Sequence, residues 1–196
     1  DLITCLKGAM DALVIGDPAN PATDVGPLVD ADAQVTLKAH HSRMASEATI
    51  LHALNVSGLE EKGHFFGPTV AELKSLDQIE SEVFGPYLHV IRYDNADLEK
   101  LGRELSDKGY GLTLGVHSRL ERFAGRVQRS VRAGNVYVNR SMIGAVVGVQ
   151  PFGGEGLSGT GPKAGGPNYL PRFAAERTVT VDITAQGGDP SLLNLT

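Results

Sequence analysis

The chain has 196 residues, 41% of them hydrophobic, enough for a real core. Its formal charge of −5 at pH 7, with both signs mixed along the chain, argues against a nucleic-acid surface, which needs clustered Lys and Arg. No apolar run approaches the roughly 20 residues that span a bilayer, so no transmembrane segment is expected.

The first residues carry neither a basic leader nor a cleavage site. Leu2, Leu6, Met10 and Leu13 share one helical face, so the chain is expected to begin inside a helix, as if cut from something longer. Gly16-Asp17-Pro18 should stop that helix, and a Pro/Gly-rich loop follows through Pro27. A second helix is expected over residues 31–46, with a thin apolar face, then strands over 49–54 and from Phe65-Phe66 to about Leu73. Asp77 and Glu80 resemble a capping box for a short helix ending at Gly85-Pro86. Strand (87–92), helix (96–106, with Leu98, Leu101 and Leu105 inward), strand (112–117), helix and strand (135–139) then alternate. Ser118 and Glu121 should cap the second of these helices, which turns Leu120, Phe123, Ala124, Val127 and Val131 to one face. This alternation predicts an α/β fold with a mainly parallel sheet. Residues 140–170 hold nine glycines and read as a long loop of the kind that carries function. Residues 178–184 alternate as a strand that must pair with a sheet edge, its own or a partner's, and an apolar tail follows.

Few side chains suggest chemistry unaided. Cys5 lies between apolar neighbours on the first helix and is expected to be buried and structural. One cysteine forms no internal disulfide, so a reducing compartment, the cytoplasm, is expected. The six histidines show no metal-ligand spacing, and no metal site is expected. Arg119, Arg122, Arg126, Arg129 and Arg132 repeat at helical spacing, which a solvated face explains more simply than a DNA site. Gly154-Glu155-Gly156-Leu157-Ser158-Gly159 matches G-x-G-x-x-G without the preceding strand or following helix that a dinucleotide loop requires. In Glu82-Val83-Phe84-Gly85-Pro86 a carboxylate could accept from a vicinal diol beside a flat aromatic face; a surface Glu and a core Phe at a turn explain the same spacing. The small residues from Gly144 to Gly154 could bring backbone N–H groups close to an anion, with Phe152 as an apolar wall, or could simply form a crossover loop.

Glu-x-Phe-Gly-Pro and Pro-Phe-Gly-Gly-x-x-x-Ser-Gly, in this order, with Tyr110-Gly111-Leu112 and residues 135–139 between them, resemble the aldehyde dehydrogenase superfamily. Residues 15–18 and 24–28 look like its segment shortly after the nucleophile. Residues 143–152 are similar to the aldehyde anchor loop of enzymes that oxidise glutamate semialdehyde, and residues 158–170 and 184–193 resemble the bifunctional proline utilization A family. The resemblance implies an aldehyde-dehydrogenase-like catalytic-domain portion over 1–170 and an oligomerisation strand with a docking tail over 171–196. It implies NAD as cofactor, with Glu82 on the nicotinamide ribose hydroxyls and Phe84 beside ribose and ring. Backbone N–H groups of Gly144 and Ala145 would hold the α-carboxylate of glutamate semialdehyde, and Phe152 its aliphatic stem. In that family a cysteine thiolate attacks the aldehyde, hydride passes to NAD, and water hydrolyses the thioester. The nucleophile and general base would lie upstream of Asp1, so no catalytic residue is expected here and the isolated chain is expected to be inactive. FAD would belong to an upstream proline dehydrogenase region. The implied partners are the small-molecule substrate, the missing N-terminal part of the same protein, and further copies in a homo-oligomer. A different aldehyde dehydrogenase, or a non-catalytic structural or oligomerisation module of the same fold, are the alternatives.

Overall fold

The computed structural model describes residues 1–143, 146, 149–159, 161–182 and 185. The chain divides into two compact units, Asp1–Tyr110 with Ser118–Arg132, and Gly111–His117 with Ala133–Thr196. No helix among the described residues is long and apolar enough to cross a membrane.

In the first unit, α1 (Leu2–Asp11) ends well before Gly16. Extending it would require the Val14 amide to reach the Met10 carbonyl; Asp24 Oδ2 takes that amide instead at 2.9 Å, and Ile15 bridges Val25. The inward stripe is Ile3, Leu6 and Met10 rather than one containing Leu2, which is exposed. Cys5 sits off that stripe and is exposed, which corrects the expectation of a buried thiol. Helix α2 (Ala31–Glu47) starts where Asp30 Oδ1 accepts from the Ala33 amide at 2.8 Å. Its inward face is Leu37, His40 and Met44, so a histidine completes the thin apolar stripe.

Strands β1 (Thr49–Ala53), β2 (Thr69–Leu73) and β3 (Tyr87–Ile91) form one sheet in that order. The β1–β2 pair is antiparallel, with a register irregularity between Ile50 and His52, and β2–β3 is parallel. Central β2 buries Val70, Ala71 and Leu73. After β2 comes a single 3-10 turn, Leu76–Gln78, and not a helix reaching Gly85. Its capping box is made by Ser75 and Gln78, not Asp77 and Glu80. Gln78 wins because its amide works at both ends: Oε1 accepts from the Lys74 and Ser75 amides while Nε2 donates to the Glu47 carbonyl that ends α2.

Helices α3 (Leu98–Asp107) and α4 (Glu121–Ser130) pack together, with Arg126 donating to both Glu99 oxygens at 2.9 and 3.1 Å. The contact runs through Gly102, which lies against Ser130, so the inward stripe of α3 is Leu98 and Gly102 and leaves Leu105 exposed. On α4 Ala124 and Val127 are buried and Leu120 is exposed. Ser118 Oγ accepts from the Leu120 amide, forming the turn before α4 rather than capping it.

The second unit opens at Gly111, the last residue of β4 (Tyr110–Gly111). Its centre is a parallel pair, β5 (Thr113–Val116) on β6 (Asn135–Val138), with Asn135 and Tyr137 turned inward. The two-residue strand β7 (Glu155–Gly156) ladders with β4. Apart from β7, the described residues of the glycine-rich run form no helix or strand, and an antiparallel bridge between Phe152 and Ala164 pins them. Of the expected terminal strand, residues 178–182 are described; they belong to no strand of this chain, and Val179 and Val181 are exposed. Residues 183 and 184 and the tail from 186 lie outside the described residues.

Candidate functional site

Glu82 and Phe84 lie on the irregular segment between the Leu76–Gln78 turn and β3. Gly85 anchors it from below: its φ is +151°, and a Cβ there would lie 2.4 Å from Leu37 Cδ1 on the fully buried face of α2. Only glycine accepts both that conformation and that approach. Pro86 anchors it from the side, because its carbonyl accepts from the Thr69 amide at 3.0 Å and so joins the segment to the start of β2. Glu82 is exposed, and no other described residue donates to it. Phe84 is 85% exposed, which replaces the reading of a core aromatic at a turn. A large apolar ring held in water beside a solvent-exposed carboxylate, on a clamped loop, suits a planar ligand carrying hydroxyl donors.

Phe152 is half-buried in the second unit, where its N–H and carbonyl exchange 3.0 Å hydrogen bonds with Ala164. Gly144 and Ala145, the other two expected substrate contacts, lie outside the described residues. Structure thus brings Glu82 and Phe84 together on one loop and fixes Phe152 on a pinned one. The G-x-G-x-x-G stretch forms no strand-to-helix turn: Glu155–Gly156 is β7 and Ser158 Oγ accepts from the Gly111 amide at 3.1 Å. Two residues given no role from sequence, Asn135 and Lys163, meet beneath the Phe152 loop, 28 positions apart in the chain.

Other polar clusters resolve as structure. His40 Nε2 and His89 Nε2 approach to 2.8 Å between α2 and β3, with the Tyr87 ring stacked on His89 and edge-on to His40. Burial first, then Arg43, holds the His40 pKa below its ordinary value against an opposing pull from Glu47; burial, then His40 and Arg43, does the same to His89. Among the described residues, no group of three or more His, Cys, Asp or Glu could hold a metal. A broad groove of 1020 Å³ follows α4 past Arg119, Arg122 and Arg129, but Arg126 is engaged by Glu99 and none of the expected site residues line it.

The sequence pattern of the aldehyde dehydrogenase family matches residues 1–179, and the chain belongs to that family. Within it, the chain is 48% identical over 180 residues to the bifunctional protein PutA of Klebsiella aerogenes, covering 89% of this chain and 14% of that one. It is 35% identical to the 1-pyrroline-5-carboxylate dehydrogenase of a Geobacillus species, over 86% of this chain and 32% of the relative. A crystal structure of a variant of proline utilization A (PutA) from Bradyrhizobium japonicum superposes with a TM-score of 0.86 at 52% identity, covering 94% of this chain and 18% of that chain. The chain therefore has an aldehyde dehydrogenase fold of mixed α/β type and spans a small part of the length of these relatives.

Proposed function

We propose that this chain is the carboxy-terminal part of an NAD-dependent L-glutamate γ-semialdehyde dehydrogenase of proline catabolism, with an FAD-dependent proline dehydrogenase region upstream. One observation carries the reading: an exposed carboxylate two residues from an exposed phenyl ring, on a loop immobilised by Gly85 and Pro86. Glu82 would accept from the ribose hydroxyls of NAD and Phe84 would lie against the ribose and ring; an exposed carboxylate and a bare aromatic face fit that group. When bound, the nicotinamide accepts the hydride that leaves as the aldehyde becomes an acid. Backbone N–H groups of Gly144 and Ala145 would hold the α-carboxylate, and Phe152 would cover the aliphatic stem and exclude water from it. Residues 1–170 would belong to the catalytic domain, and residues 171–196 would supply an oligomerisation strand and docking tail in a cytoplasmic homo-oligomer.

The nucleophile and general base belong, on this reading, to the part of the protein before Asp1, so the 196 residues alone catalyse nothing. The test is NADH formation by the whole protein with glutamate semialdehyde. Losing charge-assisted hydrogen bonds in Glu82→Ala should raise the KM for NAD by about tenfold or more. Unchanged affinity for NAD in Glu82→Ala, or robust NAD reduction by the isolated 196-residue chain, contradicts the assignment.

A further inference from the structure

The ammonium of Lys163 lies among three neutral acceptors. It donates to the Gly134 carbonyl, and at 3.3 Å to both Asn135 Oδ1 and the Gly153 carbonyl. An ammonium has three N–H donors, so this set uses all of them without a carboxylate. Asn135 is buried, and its other amide atom, Nδ2, donates to the Leu112 carbonyl at 3.0 Å and to the Gly153 carbonyl at 3.1 Å. These three partners also fix which way the amide points, because two carbonyls require the NH₂ and the ammonium requires the oxygen.

The backbones that meet here leave no room for other side chains. A Cβ on Gly134 would fall 2.0 Å from the Gly153 carbonyl oxygen, and one on Gly153 would fall 3.3 Å from Lys163 Cα. Residues 134–135, 153 and 163 are thus in direct contact, and the polar hub is what holds them. Phe152 lies one residue from Gly153 and is bridged to Ala164, one residue from Lys163. The hub therefore grips Phe152 from both neighbouring strands of the loop.

We infer that Lys163, acting through Asn135 and Gly153, is a positioning residue for the aldehyde site: it fixes the backbone that carries the Phe152 wall. The inference rests on the functional reading above, in which Phe152 covers the aliphatic stem of the substrate. Lys163 touches no reacting atom. Its role is to keep an apolar wall in register, so removing it should weaken substrate binding more than it slows chemistry.

The test has two arms. In the whole protein, amide hydrogen exchange is read at Phe152 and Ala164 for wild type, K163M and K163R. K163M keeps the stem and loses the donors; it should lose protection at those two amides while Asn139, whose amide donates to the Val116 carbonyl at 2.8 Å, keeps its own, and K163R should restore it. In the whole protein, K163M should raise the KM for glutamate semialdehyde about tenfold with kcat within about twofold, and K163R should recover most of the difference. Unchanged exchange at Phe152 in K163M, or kcat falling with KM unchanged, overturns the inference. So does a loss of protection spread over the whole second unit in K163M and in K163Q alike, which would make Lys163 a general stability residue. A wild-type whole protein inert toward the semialdehyde removes the functional reading itself, and the positioning role with it, whatever the exchange data show.

Discussion

Replacing Gly85 by alanine is expected to destabilise the fold from two separable sources. The backbone φ of +151° is one that side chains rarely adopt, and holding a non-glycine residue there costs about 1–3 kcal/mol. The new methyl would also lie 2.4 Å from Leu37 Cδ1 and 3.1 Å from Cδ2. Leu37 is fully buried and cannot swing away, so overpacking adds about 1–3 kcal/mol. Leu37→Ala alone should cost about 2–5 kcal/mol through the cavity it leaves. In the double variant the overpacking disappears, and the alanine methyl fills part of the cavity for up to about 1 kcal/mol. The combined loss should therefore fall short of the sum by about 1–4 kcal/mol, beyond the roughly 0.5 kcal/mol within which independent sites add. Urea unfolding of the 196-residue chain, followed by circular dichroism, measures all three values. In the whole protein, Gly85→Ala should also weaken NAD binding, because the same clamp carries Glu82 and Phe84, and the double variant should recover part of it. Simple additivity would refute the claim that Gly85 is held against Leu37.

Phe84→Ala should leave the urea midpoint of the chain unchanged, because the ring is 85% exposed, while weakening NAD binding by the whole protein. Asp30→Ala should cost about 1 kcal/mol in the same unfolding assay by removing the acceptor of the Ala33 amide. The His40–His89 pair should make the fold acid-sensitive. Both folded pKa values lie below the ordinary 6.5, so the unfolded chain takes up protons first; the pair's contribution is complete above about pH 6.5 and is lost as pH falls through the folded values. The groups facing the pair are His41, Arg43 and Glu47 from α2 and Tyr87 from β3, and of these only Glu47 opposes the shift. Urea midpoints near pH 7.5 and about pH 5.5 should therefore differ more in wild type than in His89→Phe; an equal drop in both removes the pair as its cause.

What the sequence disclosed was whatever a turn or an alternation decides locally. Helix α2 begins at residue 31 as expected, and β2, β3, β5 and β6 fall where apolar and β-branched residues cluster between turn signals. The Glu82-to-Pro86 and Pro151-to-Gly154 stretches were likewise legible, because their side chains are contiguous in the chain. The expectations that failed were settled by a partner far along it. Asp24 ends α1 by taking the Val14 amide, Ser130 turns α3 onto Gly102, and the Glu47 carbonyl draws Gln78 into the box expected of Glu80. Phe84 follows the same logic in reverse. Composition assigns a phenyl ring to the core, yet the Gly85 approach to Leu37 fills the space beneath, so the ring stays in water. Lys163 had no local signal either: in a run of Gly and Pro it reads as an ordinary surface cation, and its acceptors become visible only when β6 and the loop are folded together. The alternating residues 178–182 show the converse, a pattern readable in the sequence that belongs to no strand among the described residues and leaves Val179 and Val181 exposed.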